Sequence, residues 1–436
     1  MKRSWLGSLK VYFDRRILSV LLLGFSSGLP LALVYWTLSA WLSEEGVSKT
    51  AIGLFSWAST AYSIKFLWSP VVDHLSLGPL THWLGRRRSW LLLSQIAVAA
   101  CIFGLSRTDP SEQLSTVAMW CVALAFASAT QDIVIDAYRI EILEEHRMGA
   151  GASMAITGYR VAMLASGGGA LILADKYGWN VAYLAMAALM IVGVLATLTS
   201  LEPDVPKRPA PDGVVSHLQE ALVAPFMSFF RSSGVKGAIV ILAFIAFYKY
   251  GDALLGAMAN PFYLEIGFTK TQVGVITKGW GLVMTLLGTF AGGAMVAKLG
   301  LHRALLIAGI LQALSNLVFA WQAMVGASVP ALTVTIVVEN FTGGLGTAAF
   351  VAYLSSLCDV AFSATQYALL SSLMGTSRTF FASGGGWLAD QVDWVSYFLI
   401  TTAAAIPGLV LLLVLMKMFP PKEPVPAAGP PPEADS

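Results

Sequence analysis

Twelve apolar stretches of about 20 residues each succeed one another along this chain, and no other feature restricts its fold as much. Inside hydrocarbon every backbone N–H and C=O must find a partner within the protein, so an apolar run of that length becomes a helix. The stretches run near 16–41, 50–73, 89–106, 114–138, 149–174, 179–200, 236–263, 271–297, 303–324, 329–357, 363–389 and 394–418. With 56% hydrophobic and 12% charged residues, the composition excludes a soluble domain and predicts an all-α membrane protein of twelve transmembrane helices. The first stretch is too long, and too continuous with the second, to be a cleaved signal peptide.

Cytoplasmic loops of membrane proteins are enriched in Lys and Arg. If both termini lie inside, eighteen of the 27 cations fall on the inner side, among them Arg15, Arg16, Arg86, Arg87, Arg88, Arg139 and Arg147. Only Lys49, Arg107, Lys176 and Lys270 fall outside, and the remaining five lie within the membrane. That asymmetry predicts an N-in, C-in topology. The formal net charge of +2 then averages over a sided molecule and points to no nucleic-acid partner.

The polar, proline-rich stretch 201–234 divides the chain near its middle. It reads as a cytoplasmic linker, with an amphipathic surface helix around Val214–Phe230, between a six-helix bundle over 1–200 and another over 235–418. Residues 419–436 read as a disordered cytoplasmic tail. The halves echo each other: a shift of 221 residues lays Trp41-Leu-Ser-Glu-Glu-Gly46-Val-Ser-Lys-Thr50 onto Phe262-Tyr-Leu-Glu-Ile-Gly267-Phe-Thr-Lys-Thr271. Likewise Arg160, Ser166-Gly-Gly-Gly169, Asp175 and Trp179 reappear as Arg378, Ser383-Gly-Gly-Gly386, Asp390 and Trp394. Two parallel six-helix repeats resemble the major facilitator fold, which binds its substrate near the midplane between halves. Ser69-Pro-Val-Val-Asp73-His74 with Gly85-Arg-Arg-Arg88, and Gly293 through Arg303, look like degraded copies of that fold's loop signature. Their physical role would be a cytoplasmic latch held by charge pairing.

Nine ionisable residues lie deep within the predicted helices: Lys65, Asp132, Asp136, Arg160, Lys249, Asp252, Lys278, Glu339 and Arg378. Each costs about 2.5–3.5 kcal/mol at a helix centre, so such groups face a bundle interior or a watery path. None falls in the third, sixth, ninth or twelfth helix, the set that faces lipid in proteins resembling this fold. Asp132 lies seven residues inside Arg139, about 10 Å at 1.5 Å per residue, and is the first choice as proton carrier. Asp136 sits closer to the end, on the same face, and reads more readily as an interfacial ion pair with Arg139. Asp252 and Glu339 are further proton candidates; their alternative is a static bridge, Lys249–Asp252 or Glu339 with Lys278 or Arg378. Five cations against four acids favour a substrate carrying carboxylates, with Arg160 and Arg378 as forks. Lys65, Lys249 and Lys278 would add charge, and Tyr35, Gln131, Tyr159, Tyr248 and Asn340 could meet hydroxyls and amides. The glycine runs serve close helix approach.

Other chemistry finds little support. Cys101, Cys121 and Cys358 lie in separate helices without pairing, and no ligand cluster predicts a metal or other cofactor. Gly24-Phe-Ser26-Ser-Gly28 matches G-x-S-x-G but sits inside a helix, away from any strand-to-helix turn. A phosphate loop is missing, so ATP does not drive the protein directly.

Several longer strings resemble one family. Leu23-Gly-Phe-Ser-Ser-Gly-Leu-Pro-Leu-Ala-Leu33, Lys65-Phe-Leu-Trp-Ser-Pro70, Gly85-Arg-Arg-Arg88, Ala129-Thr-Gln-Asp-Ile-Val-Ile-Asp-Ala137 and Gly149-Ala-Gly151 are similar to AmpG-like muropeptide permeases. So are Gly158-Tyr-Arg160, Tyr248-Lys-Tyr-Gly-Asp-Ala253, Glu339-Asn340 with Gly343-Gly344, and Phe362-Ser-Ala-Thr-Gln-Tyr-Ala-Leu369. The resemblance spans all twelve helices. It implies proton-driven import of N-acetylglucosaminyl-1,6-anhydro-N-acetylmuramic acid and its peptides across a Gram-negative inner membrane, by a monomer in contact with membrane lipid. Such wall fragments feed recycling and, in some species, β-lactamase induction. Some members add two helices after the twelfth, so peptide preference and the inducing role stay open. A carrier of another bulky anion such as acetyl-CoA, and a sensor that binds muropeptide without moving it, are the alternatives; an enzyme is the least favoured.

Overall fold

The computed structural model describes residues 10–205 and 223–420, all of whose regular structure is helical. Among them ten helices are long and apolar enough to cross a membrane: α1 Arg15–Glu44, α3 Arg86–Leu105, α4 Leu114–Ile142, α5 Glu145–Tyr177, α6 Trp179–Thr199, α7 Ala224–Glu265, α8 Thr271–Leu299, α9 Leu301–Val325, α10 Val329–Ser356 and α12 Trp394–Met418. The other two predicted segments differ in kind. Residues 49–74, here α2, are broken into short α and 3-10 pieces, with one 3-10 turn at Lys65–Leu67. The segment α11, Ser363–Gln391, is one continuous helix of 29 residues but carries more polar side chains.

Prediction and structure diverge around α7. Its helix begins at Ala224, twelve residues before the expected start, and Gly234 (φ 68°, ψ 156°) turns the chain between an outlying piece and the span proper. Glycine adopts that left-handed φ without the Cβ clash other residues meet. A second break falls at Tyr248–Lys249. Most of the expected linker helix, residues 214–222, lies outside the described residues, as do 421–436 of the expected tail.

The internal repeat is visible as packing. Trp41 stacks on Trp179 (centroids 5.9 Å apart, 17° between planes), and their matched residues Phe262 and Trp394 meet at 5.3 Å. Matched hydroxyls cap the helices after them: Ser48 accepts from the N–H of Ala51, and Thr269 accepts from Gln272 within a capping box. The glycines of the Gly24–Gly28 string press α1 against α5. A Cβ on either would collide with the backbone of Ala155 or Tyr159, and one on Gly158 with Leu21 and Phe25. Ser26, the residue a hydrolase elbow would expose, is buried against Gln131 and Met190. Close packing explains the two glycines and Ser26 of that string.

Candidate functional site: a charged cleft above a latched end

The two halves meet at one end of the molecule. On one seam α5 lies against α8: Gly149 packs on Val296 and Gly293, the Ser153 hydroxyl donates to the Thr289 carbonyl, and Tyr12 donates to the Phe290 carbonyl at 2.7 Å. On the other seam Asp73, at the end of α2, accepts from the N–H and hydroxyl of Thr365 at 2.8 and 2.7 Å, and from the N–H of Ala364. Arg87, 1% exposed, binds Asp73 and Glu141 with its side chain and donates to the Val72 carbonyl and the Ser363 hydroxyl. Ser363 in turn donates to Glu141. The first loop signature therefore forms a latch on the start of α11. At the second, Ala297 stands in place of the acid, and Gly293 meets α5 through small-residue packing.

One acid outside the spans joins this end. Glu202 accepts from the backbone N–H groups of Arg87 (2.8 Å) and Arg88 (3.0 Å), closing the first turn of α3. Burial pushes its carboxyl up from the ordinary range, against the pull of those two N–H groups.

Away from the latch the charges change character. Asp132 on α4 accepts a hydrogen bond from Ser27 on α1 and lies within electrostatic reach of Lys65 and Asp136. Lys65 is buried on its 3-10 turn with its ammonium 3.8 Å from Asp136, which also pairs with Arg139 at 3.1 Å. The Asp136–Arg139 ion pair expected from the spacing is present, and it has further partners. Arg139 is only 2% exposed; it donates to Ser355 on α10 (2.9 Å) and lies 5.2 Å from the Tyr367 ring on α11, so it ties the halves together.

In the second half the break in α7 presents Lys249, which donates to Asp252 (3.0 Å) and to Gln312 (2.8 Å). Glu339 accepts from Asn340 at 2.6 Å, and Asn340 accepts from Thr285, tying α10 to α8. Among the described residues Glu339 forms no ion pair with Lys278 or Arg378. It lies instead within electrostatic reach of Asp252, Lys249 and, across the molecule, Arg160. Arg160 of the first half is thus near enough to Glu339 of the second to influence it. Arg160, Lys278 and Arg378 are exposed and, among the described residues, have no hydrogen bond or ion pair.

Arg160 is exposed on α5. It lies seven residues along from Ser153, on the face that touches Thr289 lower down. Tyr159 and Tyr35 are half-buried beside Asp132, Tyr159 within electrostatic reach of Asp132, Arg160 and Tyr35. Two residues expected on the cleft wall stand elsewhere. Gln131 is fully buried and donates to Ser26; Tyr248 is 7% exposed and donates to the Leu305 carbonyl. Both are engaged in helix packing. Sequence reasoning missed Ser27, Glu141, Gln312 and Glu202; an uncharged or peripheral residue gives no signal until its partner is known.

Two helical halves that echo each other and are latched together at one end are the architecture of a membrane-transporter fold, and comparisons with known proteins agree. The model of the Major Facilitator Superfamily matches residues 20–257 and 242–435. Two solved structures share the fold: the human organic anion transporter MFSD10 (TM-score 0.64, 17% identity, 91% of this chain and 99% of that one) and the proton:xylose symporter XylE (TM-score 0.60, 13% identity, 94% and 95%).

Sequence relatives are nearer. The anhydromuropeptide permease of Escherichia coli K12 is 42% identical over 412 residues, covering 93% of this chain and 81% of its own length. Putative transporter AmpG 4 of Rickettsia felis is 36% identical over 94% of this chain and 98% of its own. The chain belongs to the AmpG family of the Major Facilitator Superfamily.

Proposed function

We propose that the protein imports anhydromuropeptides across the bacterial inner membrane, as a multi-pass carrier driven by protons. The observation that carries this reading is the coincidence of family and chemistry. An AmpG relative is 42% identical over nearly the whole chain, and among the described residues exposed cations without an ion pair accompany an acid, Asp132, that is hydrogen-bonded to Ser27. Arg160 and Arg378 offer forks for carboxylates of the peptide or lactyl arm, and Asp132 is placed to exchange the coupling proton. The work is transport, with no bond made or broken in the cargo.

Counting α2 and α11 with the ten apolar helices gives twelve spans, and the Lys and Arg asymmetry sets both termini inside. The latched end, rich in Arg86, Arg87 and Arg88, is then cytoplasmic. With that end latched, cargo enters from the outer side, and the carrier acts as a monomer.

Uptake of labelled GlcNAc-anhydroMurNAc-peptide into vesicles tests the proposal. Accumulation should need a pH gradient, collapse with an uncoupler, and compete with unlabelled muropeptide but not acetyl-CoA. Competition by acetyl-CoA alone would make the chain a carrier of another anion; binding without accumulation would make it a sensor.

A further inference from the structure

The face of α5 that carries Arg160 holds one more feature. Gly149, Ser153, Arg160 and Gly167 are spaced by four, seven and seven residues, so they share one side of the helix. The lower two touch α8; above them Arg160 is exposed, and Gly167, within the π-turn Ala165–Gly169, is buried. Over Gly167 lies the indole of Trp36, 46% exposed, at the break where α1 resumes after Tyr35. Tyr35 backs it, with ring centroids 6.3 Å apart and 24° between planes. An aromatic shelf thus stands about 10 Å along the helix from an unpaired guanidinium, at 1.5 Å per residue. At the matched place in the second half the residues are Gly256 and Ala257, and Ala257 brings only a methyl beside Gly385. The shelf has no twin there.

An indole left open next to a cation suits a ligand with a rigid, apolar-faced ring and an acidic arm. A pyranose ring presents just such a face of C–H bonds, and large aromatics bind it with contact area and little lost entropy. We infer that Trp36 is the glycan shelf: a sugar ring of the substrate lies on its indole while the carboxylate-bearing arm reaches Arg160, and the methyl-sized counterpart leaves the second half room for the peptide. This rests on the muropeptide reading proposed above and names which half of the cleft holds the sugar.

Uptake kinetics and inhibition by the peptide-free disaccharide test it on the full-length protein, with Trp36→Phe and Trp36→Leu compared with wild type. The Leu side chain still covers Gly167 but offers no π face. Trp36→Leu should raise KM, and weaken disaccharide inhibition, by about three- to tenfold, while Trp36→Phe stays within about twofold. Inhibition by free peptide should hardly change in either. Equal KM for the Leu and Phe variants, or a Leu variant with wild-type disaccharide inhibition, overturns the shelf while leaving muropeptide transport intact. Wild-type vesicles that take up no muropeptide overturn both.

Discussion

Arg87 and Arg160 are both arginines within the helical body, and the molecule treats them in opposite ways. Arg87 is 1% exposed, with all three guanidinium nitrogens bonded and two carboxylates against it. Arg160 is exposed, and among the described residues it has neither bond nor ion pair. Burial of a lone ion costs several kcal/mol, so a charge that serves the fold is saturated with partners. A charge held open beside a cleft has its partner elsewhere, in water or in cargo. The acids divide likewise: Asp73 is committed to the latch, whereas Asp132 accepts a hydrogen bond from Ser27 and, among the described residues, forms no ion pair.

The widest gap between the two kinds should appear on removing one charge from each. Asp132→Asn, nearly isosteric, should abolish accumulation against a gradient while sparing counterflow exchange and thermal stability. Vesicle uptake with and without an imposed pH gradient reads this. Active uptake at the wild-type level in the Asn variant would take the proton role away from Asp132. Arg87→Ala should do the reverse. It strands Asp73 and Glu141 in the interior, a loss on the order of 3–5 kcal/mol, visible as a lowered melting temperature in detergent. Arg87→Lys should recover only part of it, because an ammonium cannot serve both carboxylates and the Val72 carbonyl at once. A melting temperature unchanged in the Ala variant would mean that the latch does not hold the halves together.

The same division governs what could be read from the sequence. The apolar runs announced the helices, and the repeat announced two similar halves, though not that Trp41 would pack on Trp179 and Phe262 on Trp394. Asp73 and the Arg86–Arg88 run announced a latch because they form a local string. Its receivers are neutral and distant, Ser363 lying 276 residues from Arg87 and Thr365 292 from Asp73, so no spacing reveals them. The breaks in α2 and at Tyr248–Lys249 were hidden for a related reason: an apolar count is the same for a continuous and a broken helix, and the side chains that meet the lysines at the breaks, Asp136 and Gln312, come from other helices. Depth singled out Asp132. It could not tell that Gln131, one position away, points into the packed interior instead.

A smaller effect separates charge from shape at the open arginine. Arg160→Lys keeps the cation and loses the planar fork, so affinity for a carboxylate-bearing substrate should fall by about tenfold, the equivalent of one good hydrogen bond. Stability should stay at the wild-type level, since among the described residues no protein group is bonded to the guanidinium. The pairing of an altered KM with an unaltered melting temperature is the mark of a cargo-facing charge; the opposite pattern would move Arg160 into the class of Arg87.

The least effect is expected at the latch's edge. Glu202 closes the first turn of α3 through two backbone N–H groups, an arrangement that favours a negative carboxylate, yet its burial works against that charge and the balance raises its carboxyl. A folded-state value above the unfolded one means that the folded protein holds this proton more tightly. The stabilising share is therefore present at acidic pH and is lost as pH rises from the ordinary carboxylate range through the raised value. Glu202→Gln cannot ionise, so its melting temperature should lack this part of the pH dependence, approaching or exceeding wild type toward neutral pH and falling below it in acid. Measured across that range, parallel melting curves for the two proteins would show that Glu202 stays solvated, and would shrink the saturated end of the molecule to Asp73, Arg87 and Glu141.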